Sequence, residues 1–264
     1  MKKGFLSLCS LLFCFLLQAQ DLSLFEKKIF LSGKDTLNYR ILYPENYRPE
    51  KAYPLIVFLH GSGERGNDNA LQLTHGGKLF VREDIRNNYP AIVIFPQCPK
   101  DSAWSRYRKG AKSNDWIMDA SLSASRPALL VKELMDQLLQ QKRVDAKRIY
   151  IGGLSLGGLG TYDMLIRYPG YFAAAFPICG ATDVAAFVAN AGPVPMWMFH
   201  GAEDVVVQPT FNRELYKLLM EKGARHVKYS EYPGVNHNSW DNAFAEPELL
   251  PWMMAQKKKK HPKW

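Results

Sequence analysis

The feature that most constrains the fold is a set of short apolar runs without polar alternation. Pro54-Leu55-Ile56-Val57-Phe58-Leu59 stops abruptly at His60-Gly61-Ser62-Gly63, and Ala91-Ile92-Val93-Ile94-Phe95 stops at Pro96. Residues 148–151, 173–178, 195–199 and 227–232 repeat the pattern, and 37–42 reads as a further strand ending at Tyr43-Pro44. A half-exposed strand alternates apolar with polar residues, whereas these runs suit strands of a parallel sheet covered on both faces. Helical stretches lie between them. Pro127 sits where a helix starts, and Leu130, Leu134 and Leu138 follow at spacing four, with Val131 and Leu139 widening the stripe. Residues 156–168 continue from a glycine-rich turn and stop before Pro169-Gly170, and 211–222 end at Gly223, a left-handed cap. Strands alternating with helices predict one α/β domain with a mostly parallel central sheet and helices on both faces. A chain of 264 residues fits one such domain, and neither repeats nor a Pro/Gly/Ser linker divides it.

Charge then removes one class of function. The formal net charge is +9, but Lys2, Lys3, Lys257, Lys258, Lys259, Lys260 and Lys263 lie at the two ends. Without them, 27 basic residues face 25 acidic ones, too even a balance for a nucleic-acid partner. Lys2 and Lys3 precede an apolar run over 5–17, shorter than the roughly 20 residues of a membrane span. Ala19 suits the position before a cleavage site, so residues 1–19 are expected to be a signal peptide. The expected organisation is a domain over 20–256 and a solvated basic tail over 257–264. The product would be secreted or periplasmic, with no stable membrane insertion after cleavage. Cys9 and Cys14 leave with the signal; Cys98 and Cys179 remain, either as one bridge or as two buried thiols.

Gly153-Leu154-Ser155-Leu156-Gly157 joins a strand to a helix, the setting in which G-x-S-x-G carries chemistry. The tight reversal lifts the serine hydroxyl above the sheet edge, and the unpaired N–H groups of the helix start face the same point. Ser155 is therefore the candidate nucleophile, and a serine needs a base held by a third group. In this chain order the acid precedes the histidine. His261 lies in the lysine tail and His226 at the entrance of the last strand; His237 lies in the loop just after that strand and is the candidate base. Candidate acids are Asp183, Glu203 and Asp204, of which Asp204 stands directly beyond a strand end, 49 residues after Ser155 and 33 before His237. The backbone N–H groups of Ser62 and Leu156 are the candidate oxyanion donors, with Gly63 as an alternative to Ser62.

At these residues the chain resembles the α/β-hydrolase superfamily. More narrowly it is similar to small secreted serine esterases related to polyhydroxybutyrate depolymerases and to feruloyl and acetylxylan esterases, a group also labelled predicted peptidases. The likeness runs from about Tyr39 to Trp240. It rests on Tyr53-Pro54 through Gly66, on Pro96-Gln97-Cys98-Pro99 with Trp104, on Gly153 through Gly157, on His200-Gly201 with Asp204, and on His237 with Trp240. The resemblance implies a carboxylic-ester hydrolase with Asp204 as the acid, without metal or organic cofactor, acting on a small or polymer-linked ester. Trp104 is a candidate pocket residue, and Glu64 with Arg65 a candidate ion pair shaping the oxyanion loop. The polar segment 102–126 could form a small flap over the site, while 180–195 is too short for a large cap domain. An open cleft suits bulky or polymer-linked esters. A peptidase with the same triad is the alternative, and a binding protein with a dead site would require a broken triad.

Overall fold

The computed structural model describes residues 21–109 and 116–258. The segment 1–20, on which the signal-peptide expectation falls, and the tail beyond Lys258 lie outside them. Ten strands occur among these residues: β1 (Glu26–Ser32), β2 (Asp35–Leu42), β3 (Tyr53–Leu59), β4 (Ile92–Pro96), β5 (Tyr107–Lys109), β6 (Trp116–Met118), β7 (Val144–Leu154), β8 (Ala174–Ile178), β9 (Met196–Gly201) and β10 (Val227–Tyr232). The helices are α1 (Gly77–Phe80), α2 (Glu83–Asn88), α3 (Arg126–Gln140), α4 (Leu156–Arg167), α5 (Val184–Asn190), α6 (Thr210–Glu221), α7 (Trp240–Ala245) and α8 (Leu249–Met254). Eight strands form one sheet in the order β1-β2-β4-β3-β7-β8-β9-β10. Pairing is parallel from β4 to β10, and β1 and β2 add an antiparallel edge. This is the predicted α/β fold with a mostly parallel sheet.

The two-fold period of β3 divides the core. Leu55, Val57 and Leu59 face a layer that includes Leu130 and Leu134 of α3, Leu159 and Tyr162 of α4, Phe187 of α5 and Leu215 of α6. Ile56 and Phe58 face the other layer, with Phe80, Phe95, Phe176 and Leu249. Every residue of β3 is buried, which explains its unbroken apolar run. Helix α3 starts where its sequence directs: Ser125 accepts a hydrogen bond from the Ala128 N–H at 3.3 Å, and Pro127 occupies the first turn.

Close approach between α4 and the sheet is bought with glycine. A side chain at Gly157 would overlap the Leu59 carbonyl, and Gly158 meets Gly180 backbone to backbone. The helix N-terminus is thereby seated directly above the ends of β3, β7 and β8. The segment 180–195 holds the single short helix α5, and 102–126 includes the antiparallel strand pair β5 and β6. At the far end, the Lys258 N–H donates to the Lys147 carbonyl at 2.9 Å and its ammonium lies over the Tyr171 ring. The first two tail lysines are thus described, and Lys258 is docked on the domain rather than solvated.

Candidate active site

Five chain reversals beyond the carboxyl ends of the parallel strands meet at one point. Ser155 follows β7 in a conformation few non-glycine residues adopt, φ 52° and ψ −116°. Its own N–H is tied to the Ile178 carbonyl at 2.9 Å, which fixes the turn against β8. The Ser155 hydroxyl donates to His237 Nε2 at 2.8 Å, and His237 Nδ1–H donates to Asp204 Oδ2 at 2.7 Å. Asn236 holds the base loop to the acid loop, because its Oδ1 accepts from the N–H groups of both His237 and Val205. The Trp240 ring stands edge-on to His237 at 5.6 Å. The structure therefore brings Ser155, His237 and Asp204 together in one hydrogen-bonded line.

The competing carboxylates stand elsewhere. Asp183 caps the start of α5 by accepting from the Ala186 N–H at 3.0 Å, and the exposed Glu203 lies outside the line. Asp204 is fully buried at its side chain, which opposes ionisation. Donors from His200 and His237, the attraction of His237 and the Val207 N–H outweigh that penalty and hold the carboxyl well below the usual range. Asp204 Oδ1 accepts from the N–H groups of both Val206 and Val207 at 2.9 Å.

Behind Asp204 runs a buried chain that sequence reasoning missed. The Tyr162 hydroxyl donates to Asn212 Oδ1 at 2.7 Å, and Asn212 Nδ2 donates to His200 Nδ1 at 2.8 Å. His200 Nε2–H then points to the Val207 carbonyl at 2.8 Å and Asp204 Oδ2 at 3.2 Å. His200 stood in the sequence as a strand-end marker, but Tyr162 and Asn212 sit inside helical stretches with no local signal.

The loop after β3 is built with equal care. The Cys98 N–H donates to His60 Nε2 at 3.0 Å, so the ring proton is on Nδ1, which donates to the Gly61 carbonyl at 2.6 Å. In a trans peptide the C=O and the following N–H point in opposite directions. Anchoring the Gly61 carbonyl on His60 thus turns the Ser62 N–H away from that ring. Burial pushes His60 down to about 4 and keeps it neutral. Ser62, Ser155 and Leu156 line one cleft of about 210 Å³, walled by Tyr107, Leu159, Val206 and Val207. Leu156 is the first residue of α4, so its N–H has no partner within the helix. Gly63 is not among the lining residues.

Two expectations are corrected. Trp104 does not line this cleft; it is fully buried, packs on Gly160 and donates from Nε1 to the His60 carbonyl at 2.9 Å. An aromatic that large is held by the core and supports the loop from behind. Glu64 and Arg65 do not pair with each other. Arg65 donates to the carbonyls of Ser62 and Ser102, and Glu64 faces His75 at 3.6 Å. Cys98 and Cys179 are free, fully buried thiols. Cys179 lies with Asp204 and His237, ligand atoms within 4.8 Å of one another. Burial and the Asp204 charge push the Cys179 thiol up, which disfavours the thiolate a metal would need. Among the described residues that set offers a cation little.

The fold and this arrangement are those of a carboxylesterase-type serine hydrolase. The chain belongs to the phospholipase/carboxylesterase family, matching it over residues 46–247. It is 27% identical over 176 residues to a bifunctional acetylxylan esterase/xylanase of Neocallimastix patriciarum, covering 67% of this chain and 22% of that one. It is 24% identical over 227 residues to acyl-protein thioesterase 1 of Candida albicans, covering 78% of this chain and 93% of the relative. Among solved structures, a thermostable esterase superposes with a TM-score of 0.78 at 33% identity, over 89% of this chain and 64% of that one. The chain thus spans about a fifth of the acetylxylan esterase/xylanase and under two thirds of the solved esterase.

Proposed function

We propose that this protein is an exported serine esterase that removes acyl groups from polysaccharide through an acyl-enzyme. The observation that carries the reading is the hydrogen-bonded line from Ser155 through His237 to the ionised Asp204. Asp204 holds His237 in the tautomer whose Nε2 lone pair faces the serine, so Nε2 takes the proton as Ser155 Oγ attacks the ester carbonyl carbon. The N–H groups of Ser62 and Leu156 receive the oxyanion. Collapse of the tetrahedral adduct breaks the bond to the alcohol oxygen, which leaves with the proton from His237. Water then repeats the cycle on the acyl-enzyme, releasing the acid and restoring Ser155. The kinship with an acetylxylan esterase supports a sugar ester, and the apolar walls of the cleft support an acyl group there.

An alkoxide is a better leaving group than an amine, so this triad suffices for esters without special proton delivery to nitrogen. The test is kcat/KM for p-nitrophenyl acetate, acetylated xylan and methyl ferulate against matched aminoacyl anilides. Esters should exceed anilides by orders of magnitude; comparable values would favour a peptidase. Preference for an acyl thioester over all oxygen esters would move the substrate toward that of the thioesterase relative.

A further inference from the structure

Beside the catalytic cleft lies a second, larger pocket of about 490 Å³, for which the triad has no use. The two share Tyr107 as a common wall. They are also linked through Arg65, which lines the second pocket while its Nε donates to the carbonyl of Ser62 in the first. A substrate whose ester carbonyl meets Ser155 and whose alcohol part reaches past Tyr107 would enter this space.

Its chemistry differs from that of the cleft. Arg106 is exposed, and its guanidinium has no partner among the described residues. Arg65 commits Nε and Nη1 to backbone carbonyls, leaving Nη2 unused. Ser105 is 1% exposed, yet its hydroxyl has no hydrogen-bond partner although the residue lines the pocket. A buried hydroxyl without a partner calls for an explanation, and a molecule held in the pocket supplies one. The N-terminus of α3 also opens here, since Ser125 and Arg126 lie on the wall, and a helix of 15 residues presents its positive end. Arg126 is neutralised by Asp35 and Glu133, and Asp101 supplies one opposing carboxylate. The balance left is two available guanidinium groups and a helix terminus against one acid, with a buried hydroxyl on the same wall.

We propose that this pocket is a subsite for a carboxylate-bearing sugar of the substrate, a uronic acid on the esterified polysaccharide. Guanidinium groups take a carboxylate through paired N–H donors, the hydroxyl of Ser105 meets a sugar hydroxyl, and pockets of this volume accept a small glycan. The sugar ester itself rests on the function proposed above, but the pocket's charge preference does not.

Calorimetry on the intact protein tests it, with xylotriose bearing one glucuronic acid as probe and neutral xylotetraose as comparison. Neither carries an ester, so binding is read apart from hydrolysis. The acidic oligosaccharide should bind at least roughly tenfold more tightly, with a preference that shrinks as salt is raised. Arg106→Gln should reduce that preference, Ser105→Ala should weaken binding of both probes alike, and Arg108→Gln, which lies outside the pocket, should leave both affinities unchanged. Equal affinities, binding of neither probe, or a preference that survives Arg106→Gln would overturn the proposal. A protein that prefers the acidic probe yet cleaves no ester would support the pocket and overturn the esterase reading.

Discussion

Asp204 occupies a position where burial alone would neutralise a carboxyl, and four donors keep it charged: two ring nitrogens and two backbone N–H groups. Asp204→Asn reverses the hydrogen-bond polarity at His237 Nδ1, so kcat should fall by on the order of 10⁴ with the fold intact. Asp183→Ala should instead remove a helix cap, lowering stability by about 1 kcal/mol in urea unfolding while kcat holds. His200→Leu removes one donor from the Asp204 carboxylate and leaves Asn212 Nδ2 unpaired. We expect a lower kcat and an acid limb of the pH–rate profile displaced to higher pH, because Asp204 loses a donor that favours its ionised form. A mere loss of packing would lower stability without moving that limb. His60 gives a second pH signature. The unfolded chain protonates it near 6.5, whereas the fold holds it neutral down to about 4. Its contribution is fully present above 6.5, falls as pH drops from 6.5 to 4, and is on the order of 3 kcal/mol over that window. Denaturation measured across this range should show a pH slope that His60→Asn reduces by about one proton.

At the scale of elements, much was legible because packing and sequence agree. The strand over 227–232 appears with those bounds, and the helices starting at Leu156 and near Pro127 lie where the glycine and proline signals put them. The edge strand β1 was illegible because of its seven residues only Phe30 is buried; Ile29 and Leu31 point to solvent among charges. Its pairing with β2 comes from the Gly33 turn and backbone hydrogen bonds, which leave little trace in residue type. Helices α1, α2, α5, α7 and α8 are four to seven residues long, too short for a periodic stripe. The turn at Ser155 was legible for the opposite reason: its glycines answer a steric demand that no other residue meets. Gly157→Ala should therefore drive α4 off the Leu59 carbonyl and cost both stability and activity, seen as a lower Tm and a lower kcat in the same variant.

Across the whole molecule, the site is assembled by sheet order rather than by sequence proximity. The ends of β3, β7, β8, β9 and β10 are neighbours in one parallel array, so residues 60, 155, 179, 204 and 237 converge although nearly 180 positions separate the first from the last. Ser155 and His237 could be read from motif and chain order. The choice among Asp183, Glu203 and Asp204 needed the resemblance, because each follows a strand. The tyrosine–asparagine–histidine chain behind Asp204 and the arginine pocket beyond Tyr107 depend on helices and hairpins packing across the sheet, which no local pattern encodes. The central claim is that this convergence activates one serine, and fluorophosphonate labelling followed by intact-mass and peptide analysis tests it most directly. The wild-type protein should gain a single adduct on the peptide containing Ser155, with none on Ser155→Ala and slowed labelling of His237→Ala. Equal labelling of wild type and Ser155→Ala, or an adduct on another residue, would contradict it.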